Sequence, residues 1–131
     1  MERSADVAVV VVAHGSRAEA ANDAHRAFCR AVGESAALEV TAAFLETGEP
    51  SLGDAIDQVA AGGAHRVVIA PHFLAPGNHT VRDIPAAVDE ATTHHPELEC
   101  EILSHTGALA ALPSLVGADL VAALEIDSDG D

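Results

Sequence analysis

Apolar residues fall along this chain in four short runs, separated by longer stretches of mixed polarity. Val7-Ala-Val-Val-Val-Val-Ala13 is β-branched and apolar at odd and even positions alike, which suits a strand covered on both faces, as in a parallel sheet. Runs at 38–45, 65–74 and 98–103 predict three more strands. Between them the spacing becomes helical. Over residues 18–34, Ala24, Phe28, Ala31 and Val32 share a face and Gly33 lies near the end. Glu49-Pro-Ser51 supplies a turn and an N-cap for a helix over 52–61, with Asp54 at the capping-box position and Gly62-Gly63 as the stop. A helix over 82–95 would hold Pro85 in its first turn, where proline is tolerated, and Pro96 would end it. The last helix, 107–125, would break or kink at Pro113.

The order βαβαβαβα with short connections predicts a parallel α/β sheet with right-handed crossovers. The flavodoxin-like arrangement of four strands is 2-1-3-4, with helices on both faces. Its order reverses between strands 1 and 3, so the loops leaving them part and form a crevice. Those loops carry His14 and His79. We expect one domain over 1–131, with an acidic tail, 126–131, that frays.

Composition narrows the partners. There is no Trp or Tyr and only three Phe, so the core must be aliphatic. Twenty-one acidic residues oppose six basic ones, all arginine, for a net charge of −15. Such a field repels nucleic acid and anionic lipid, and fits solubility in a salty interior. No apolar run approaches the roughly 20 residues that cross a bilayer, and the N-terminus lacks a signal-peptide pattern. We expect a soluble, cytoplasmic protein without membrane or nucleic-acid partners. The two cysteines, Cys29 and Cys100, form no C-x-x-C and read as packing residues.

Of eight histidines, His25, His65, His94 and His95 fall on element ends with no converging partner and read as solvent-facing. His72 and His105, at the ends of strands 3 and 4, could approach the crevice. His14 and His79 differ, because topology brings their loops together and glycines nearby let backbone approach a ligand. Two imidazoles can hold a divalent ion while leaving coordination positions open, which suits transfer or catalysis rather than a closed structural site. His14-Gly-Ser-Arg17 also resembles an anion cradle. Glu46 and Glu49, just past strand 2, could take a proton or shape the metal site. There is no G-x-G-x-x-G or Walker loop, so a nucleotide is disfavoured. No G-x-S-x-G elbow surrounds Ser16.

Three motifs in order, Val-Ala-His14-Gly-Ser-Arg, Phe44-Leu-Glu-x-x-Glu-Pro-Ser-Leu52 and Pro71-x-Phe-Leu-x-x-Gly-x-His-x-x-x-Asp-Ile-Pro85, resemble the small-form sirohydrochlorin cobaltochelatases, a group of class II chelatases. The similarity runs from about residue 7 to residue 104. It implies a single chelatase-type half that inserts Co²⁺, or Ni²⁺ in close relatives, into sirohydrochlorin without ATP, and that pairs as a homodimer. By motif, His14 matches a metal ligand that also accepts a proton, and His79 the second metal ligand. Glu49 and the loop Leu74, Ala75, Pro76, Gly77, Asn78, His79 match substrate-contacting positions.

Metallation must deliver a desolvated ion to the macrocycle and remove two pyrrole protons, and an imidazole can do either. It cannot do both at once, since a coordinated nitrogen has no free lone pair. Proton acceptance would follow metal release, or use Glu49 or water. The substrate's carboxylates and the acidic chain repel one another, so Arg17, Arg82 and the helix N-termini after both loops must supply local attraction. Two other readings stay open: a metal-delivery module using the same histidines, and a flavodoxin-like phosphate- or nucleotide-binding domain.

Overall fold

A computed structural model describes residues 6–75 and 77–129, with the side chains of 78–81 and 126–129 left undescribed. Strands β1 (Val7–Gly15), β2 (Val40–Thr47), β3 (Arg66–Pro71) and β4 (Glu99–Ile102) form one parallel sheet in the order β2-β1-β3-β4. This is the expected arrangement, with β1 and β3, whose runs are apolar on both parities, in the two central places.

The sheet has unequal faces. Helices α2 (Leu52–Ala61) and α3 (Asn78–His94) cover one, burying Val10, Val12, Ala43, Val67 and Ile69 against Leu52, Ile56, Ile84 and Val88. Ser51 caps α2 as expected, accepting a hydrogen bond from the Asp54 N–H at 3.1 Å. Helix α1 (Glu19–Ala36) covers β1 and β2 on the opposite face.

The inward stripe of α1 is not the one the apolar spacing suggests. Asn22, His25, Cys29 and Gly33 are buried, whereas Ala24, Phe28 and Ala31 are exposed. Polar side chains can take the inner face because the strand ends and loops beneath them offer backbone groups to bond. The helix also runs past Gly33. It ends at Ala37, which adopts the left-handed conformation at φ 56° and donates its N–H to the Gly33 carbonyl.

Two helix starts differ from expectation. Helix α3 begins at Asn78 rather than residue 82, so Pro85 lies inside it. Pro85 has no N–H to give to the carbonyl four residues back, yet Ile84 and Val88 beside it are buried, and packing holds the helix across the lost bond. Beyond β4, a short 3-10 turn η (Thr106–Ala108) precedes α4 (Leu112–Asp129), so Pro113 sits in a first turn and causes no kink. Helix α4 continues through 126–129, and residues 130 and 131 lie outside the described residues. Its Leu115, Val116, Leu120, Val121 and Leu124 are all at least half exposed, between 52% and 67%.

Candidate functional site

The C-terminal ends of β1, β2 and β3 lie along one edge of the parallel sheet, and each brings residues that the sequence singles out. His14 is the penultimate residue of β1, at a break in the sheet register. From Ala13 to Gly15 the strand advances two residues while β2 advances three, from Phe44 to Thr47. Strand β2 therefore carries the extra residue, and such a bulge re-aims a side chain. Glu46 lies in it. Its Oε2 is 3.6 Å from His14 Nε2, with the two side chains 53% and 56% exposed. An exposed imidazole beside a carboxylate can bind a cation or receive a proton.

Glu49 lies on the same rim, exposed, before the cis peptide to Pro50. Its carbonyl accepts a hydrogen bond from Arg26 Nη2 at 3.2 Å, and the Arg26 guanidinium lies 5.1 Å above the Phe44 ring. Arg26 is thus engaged in holding the β2–α2 loop. Arg17 and Arg82 are exposed and open to a ligand.

The loop from β3 into α3 leaves the same edge. Leu74 is 74% exposed, and Ala75 and Gly77 are exposed as well. Pro76 lies outside the described residues. Asn78 and His79 form the first turn of α3, with side chains outside the described set. Among the described residues, no three His, Cys, Asp or Glu side chains converge as a metal cluster.

His72 turns to the α1 face, where it stacks on Phe28 at 4.1 Å and on His25 at 5.7 Å between ring centroids. Thr106 Oγ1 donates to the Pro71 carbonyl, so His72 Nδ1–H must be the donor in its 2.9 Å bond to Thr106. Burial lowers the His72 pKa, and neighbouring His25 adds to the shift. His105 stacks on Phe73 at 6.2 Å. The turn η thus braces the β3–α3 loop from behind, helped by a Gly107 N–H bond to the Phe73 carbonyl at 3.1 Å. A side chain at Gly107 would collide with the Leu74 carbonyl.

Two solvent-facing assignments need correction. His25 is 7% exposed, donates from Nε2 to the Val11 carbonyl at 3.0 Å, and packs edge-on to Phe44 at 5.2 Å. Desolvation pulls its pKa below the usual 6.5. His95 Nε2 pairs with Asp57 Oδ1 at 2.9 Å, because α2 and α3 pack side by side. His65 and His94 are exposed as expected. Both cysteines are free thiols; burial pushes Cys29 up to about 11 and raises Cys100. Sequence reasoning missed Asn22, Arg26, Thr106 and Gly107. The one available signal was a polar residue, Asn22, three positions before His25 on the same helix face.

The family profile of CbiX matches residues 8–122. This chain belongs to the CbiX family. Among CbiX relatives, the sirohydrochlorin cobaltochelatase of Methanopyrus kandleri is 40% identical over 80 residues, covering 60% of this chain and 56% of its own length. The chain spans about half the length of the curated relatives it matches, or less. Among solved structures, the sirohydrochlorin chelatase SirB of Bacillus subtilis, in complex with cobalt, superposes with a TM-score of 0.69 at 26% identity, over 74% of this chain and 42% of SirB. A CbiX protein from Marinobacter aquaeolei superposes with a TM-score of 0.79 at 23% identity, over 91% of this chain and 98% of its own. That last likeness is one of fold, and it extends over nearly the whole of both chains.

Proposed function

We propose that this CbiX chain inserts a divalent metal, Co²⁺ or Ni²⁺, into sirohydrochlorin without ATP or another nucleotide. The observation that carries the reading is the His14–Glu46 pair at the crevice rim, 3.6 Å apart and open to solvent. The names of the Methanopyrus kandleri and Bacillus subtilis relatives support the substrate and the metal.

In this mechanism the incoming ion is substrate, held by the imidazoles of His14 and His79. Ring nitrogens of the tetrapyrrole displace them one by one, because an N-donor pair with open positions binds firmly enough to select the ion and weakly enough to release it. As the metal leaves, the freed His14 nitrogen regains its lone pair and takes a pyrrole proton. Glu46 steadies the resulting imidazolium. The second proton goes to Glu49 or water, so two protons leave as the dication enters. Arg17, Arg82 and the helix N-termini attract the substrate carboxylates against the acidic field, and the exposed loop Leu74 to His79 lies against the macrocycle.

A homodimer fits the surface of the chain. Helix α4 exposes Leu115, Val116, Leu120, Val121 and Leu124, and a second copy is the occupant that would cover them.

Absorbance spectroscopy tests the function: purified chain, sirohydrochlorin and Co²⁺ at high salt, against the uncatalysed reaction. The expected result is faster metallation that is lost in His14→Ala and in His79→Ala. A folded chain that binds cobalt without accelerating metallation would establish a delivery module instead.

A further inference from the structure

Asn22 is 3% exposed, a buried amide in the interior of α1. All three of its hydrogen bonds go to backbone outside the helix. Its Oδ1 accepts from the Ser16 N–H at 3.0 Å, and its Nδ2 donates to the Ser16 carbonyl at 2.8 Å and the Thr47 carbonyl at 3.2 Å. Ser16 follows β1, two residues beyond His14; Thr47 ends β2, one residue beyond Glu46. One side chain therefore ties together the two loops that present the histidine–carboxylate pair.

The junction has little slack. The Ser16 N–H also reaches the Thr47 carbonyl directly, at 3.1 Å. Gly15, at φ 97°, lies so close to Thr47 that a side chain there would strike its carbonyl. Asparagine is a weak helix former, and a buried amide is costly unless every bond is made. An apolar residue would fill this inward position at lower cost but could not bridge two loops.

We propose that Asn22 is a positioning residue: by pinning Ser16 to Thr47 from the rigid face of α1, it sets the separation of His14 and Glu46 and thereby the metal affinity of the crevice. The pair needs such a device. Both side chains are more than half exposed, so no core packing holds them at 3.6 Å. The inference rests on the reading of His14 as a metal ligand, and the experiment separates the two.

Cobalt is titrated at high salt into the wild-type chain, Asn22→Ala, Asn22→Asp, Gly15→Ala, His14→Ala and a core control, Ile56→Val, following the visible cobalt absorption. Asn22→Asp keeps the acceptor for Ser16 but removes the donors and sets a carboxylate against two carbonyls. Gly15→Ala forces the same loops apart from the other side. Both Asn22 variants and Gly15→Ala should weaken cobalt binding about tenfold or more and change the shape of the band. Ile56→Val, which loosens the core without touching the Ser16–Thr47 junction, should leave affinity and spectrum at wild-type values. A folded Asn22→Asp or Gly15→Ala with the wild-type affinity and band would overturn the proposal. So would failure of all three loop variants to fold, which would assign Asn22 to stability alone. Undiminished cobalt binding in His14→Ala would instead overturn the metal-site reading beneath it.

Discussion

His14 and Glu46 face each other because β2 carries one residue more than β1 at the end of the sheet. The extra residue turns the Glu46 carboxylate toward His14 Nε2 at 3.6 Å. A carboxylate on the adjacent strand is a more direct neighbour for His14 than Glu49, whose backbone is held by Arg26.

The role of that carboxylate can be isolated with Glu46→Gln, which keeps the shape and removes the charge. Metallation of sirohydrochlorin should slow by about ten- to a hundredfold. The urea midpoint should hardly move, since exposed ion pairs add little stability. Wild-type turnover in this variant would remove Glu46 from the mechanism.

Gly107 stands against the Leu74 carbonyl, where a Cβ has no room. Gly107→Ala should therefore displace the Leu74–His79 loop. A higher KM for the tetrapyrrole, with a smaller change in kcat, is the expected signature in steady-state absorbance assays. An unchanged KM would mean that this loop does not meet substrate.

Ala37 ends α1 in a left-handed conformation that glycine adopts without steric cost. Ala37→Gly should stabilise the fold by about 1 kcal/mol, read as a higher urea midpoint with an unchanged slope. A lower midpoint would show that the loss of unfolded-state constraint outweighs the relieved strain.

Burial lowers the pKa of His25, and His72 beside it shifts the same way. Both therefore fold in the neutral form, and an unfolded chain binds more protons than the folded one as the solution becomes acidic. Their contribution to stability is fully present above the ordinary value of 6.5 and is lost as pH falls through their lower folded values. His25→Gln keeps a donor for the Val11 carbonyl but cannot titrate. Between pH 7.5 and 5.5 its urea midpoint should fall less than that of the wild-type chain. Equal losses in both would show that other groups govern the acid limb.

Hydrophobic patterning alone determined the sheet. Four apolar runs, each followed by a helix-length segment, admit few packings, and the order β2-β1-β3-β4 then brings the loops after β1 and β3 to one edge of the sheet. His14, Glu46 and Glu49 were visible because they lie at or just past the C-terminal ends of strands, which the apolar runs place along one rim. Only the tertiary structure decided what holds them. Asn22, His25 and Thr106 are polar residues whose value lies in backbone carbonyls and N–H groups that distant segments bring within 3 Å or so, and no periodicity records those partners. The inward face of α1 was misread for the same reason: exposing Phe28 and burying Asn22 is favourable only once the Ser16 and Thr47 backbones lie against the helix. Pro85 was misplaced because the packing of Ile84 and Val88 outweighs a missing hydrogen bond, a balance between two energies that a sequence rule for proline does not contain.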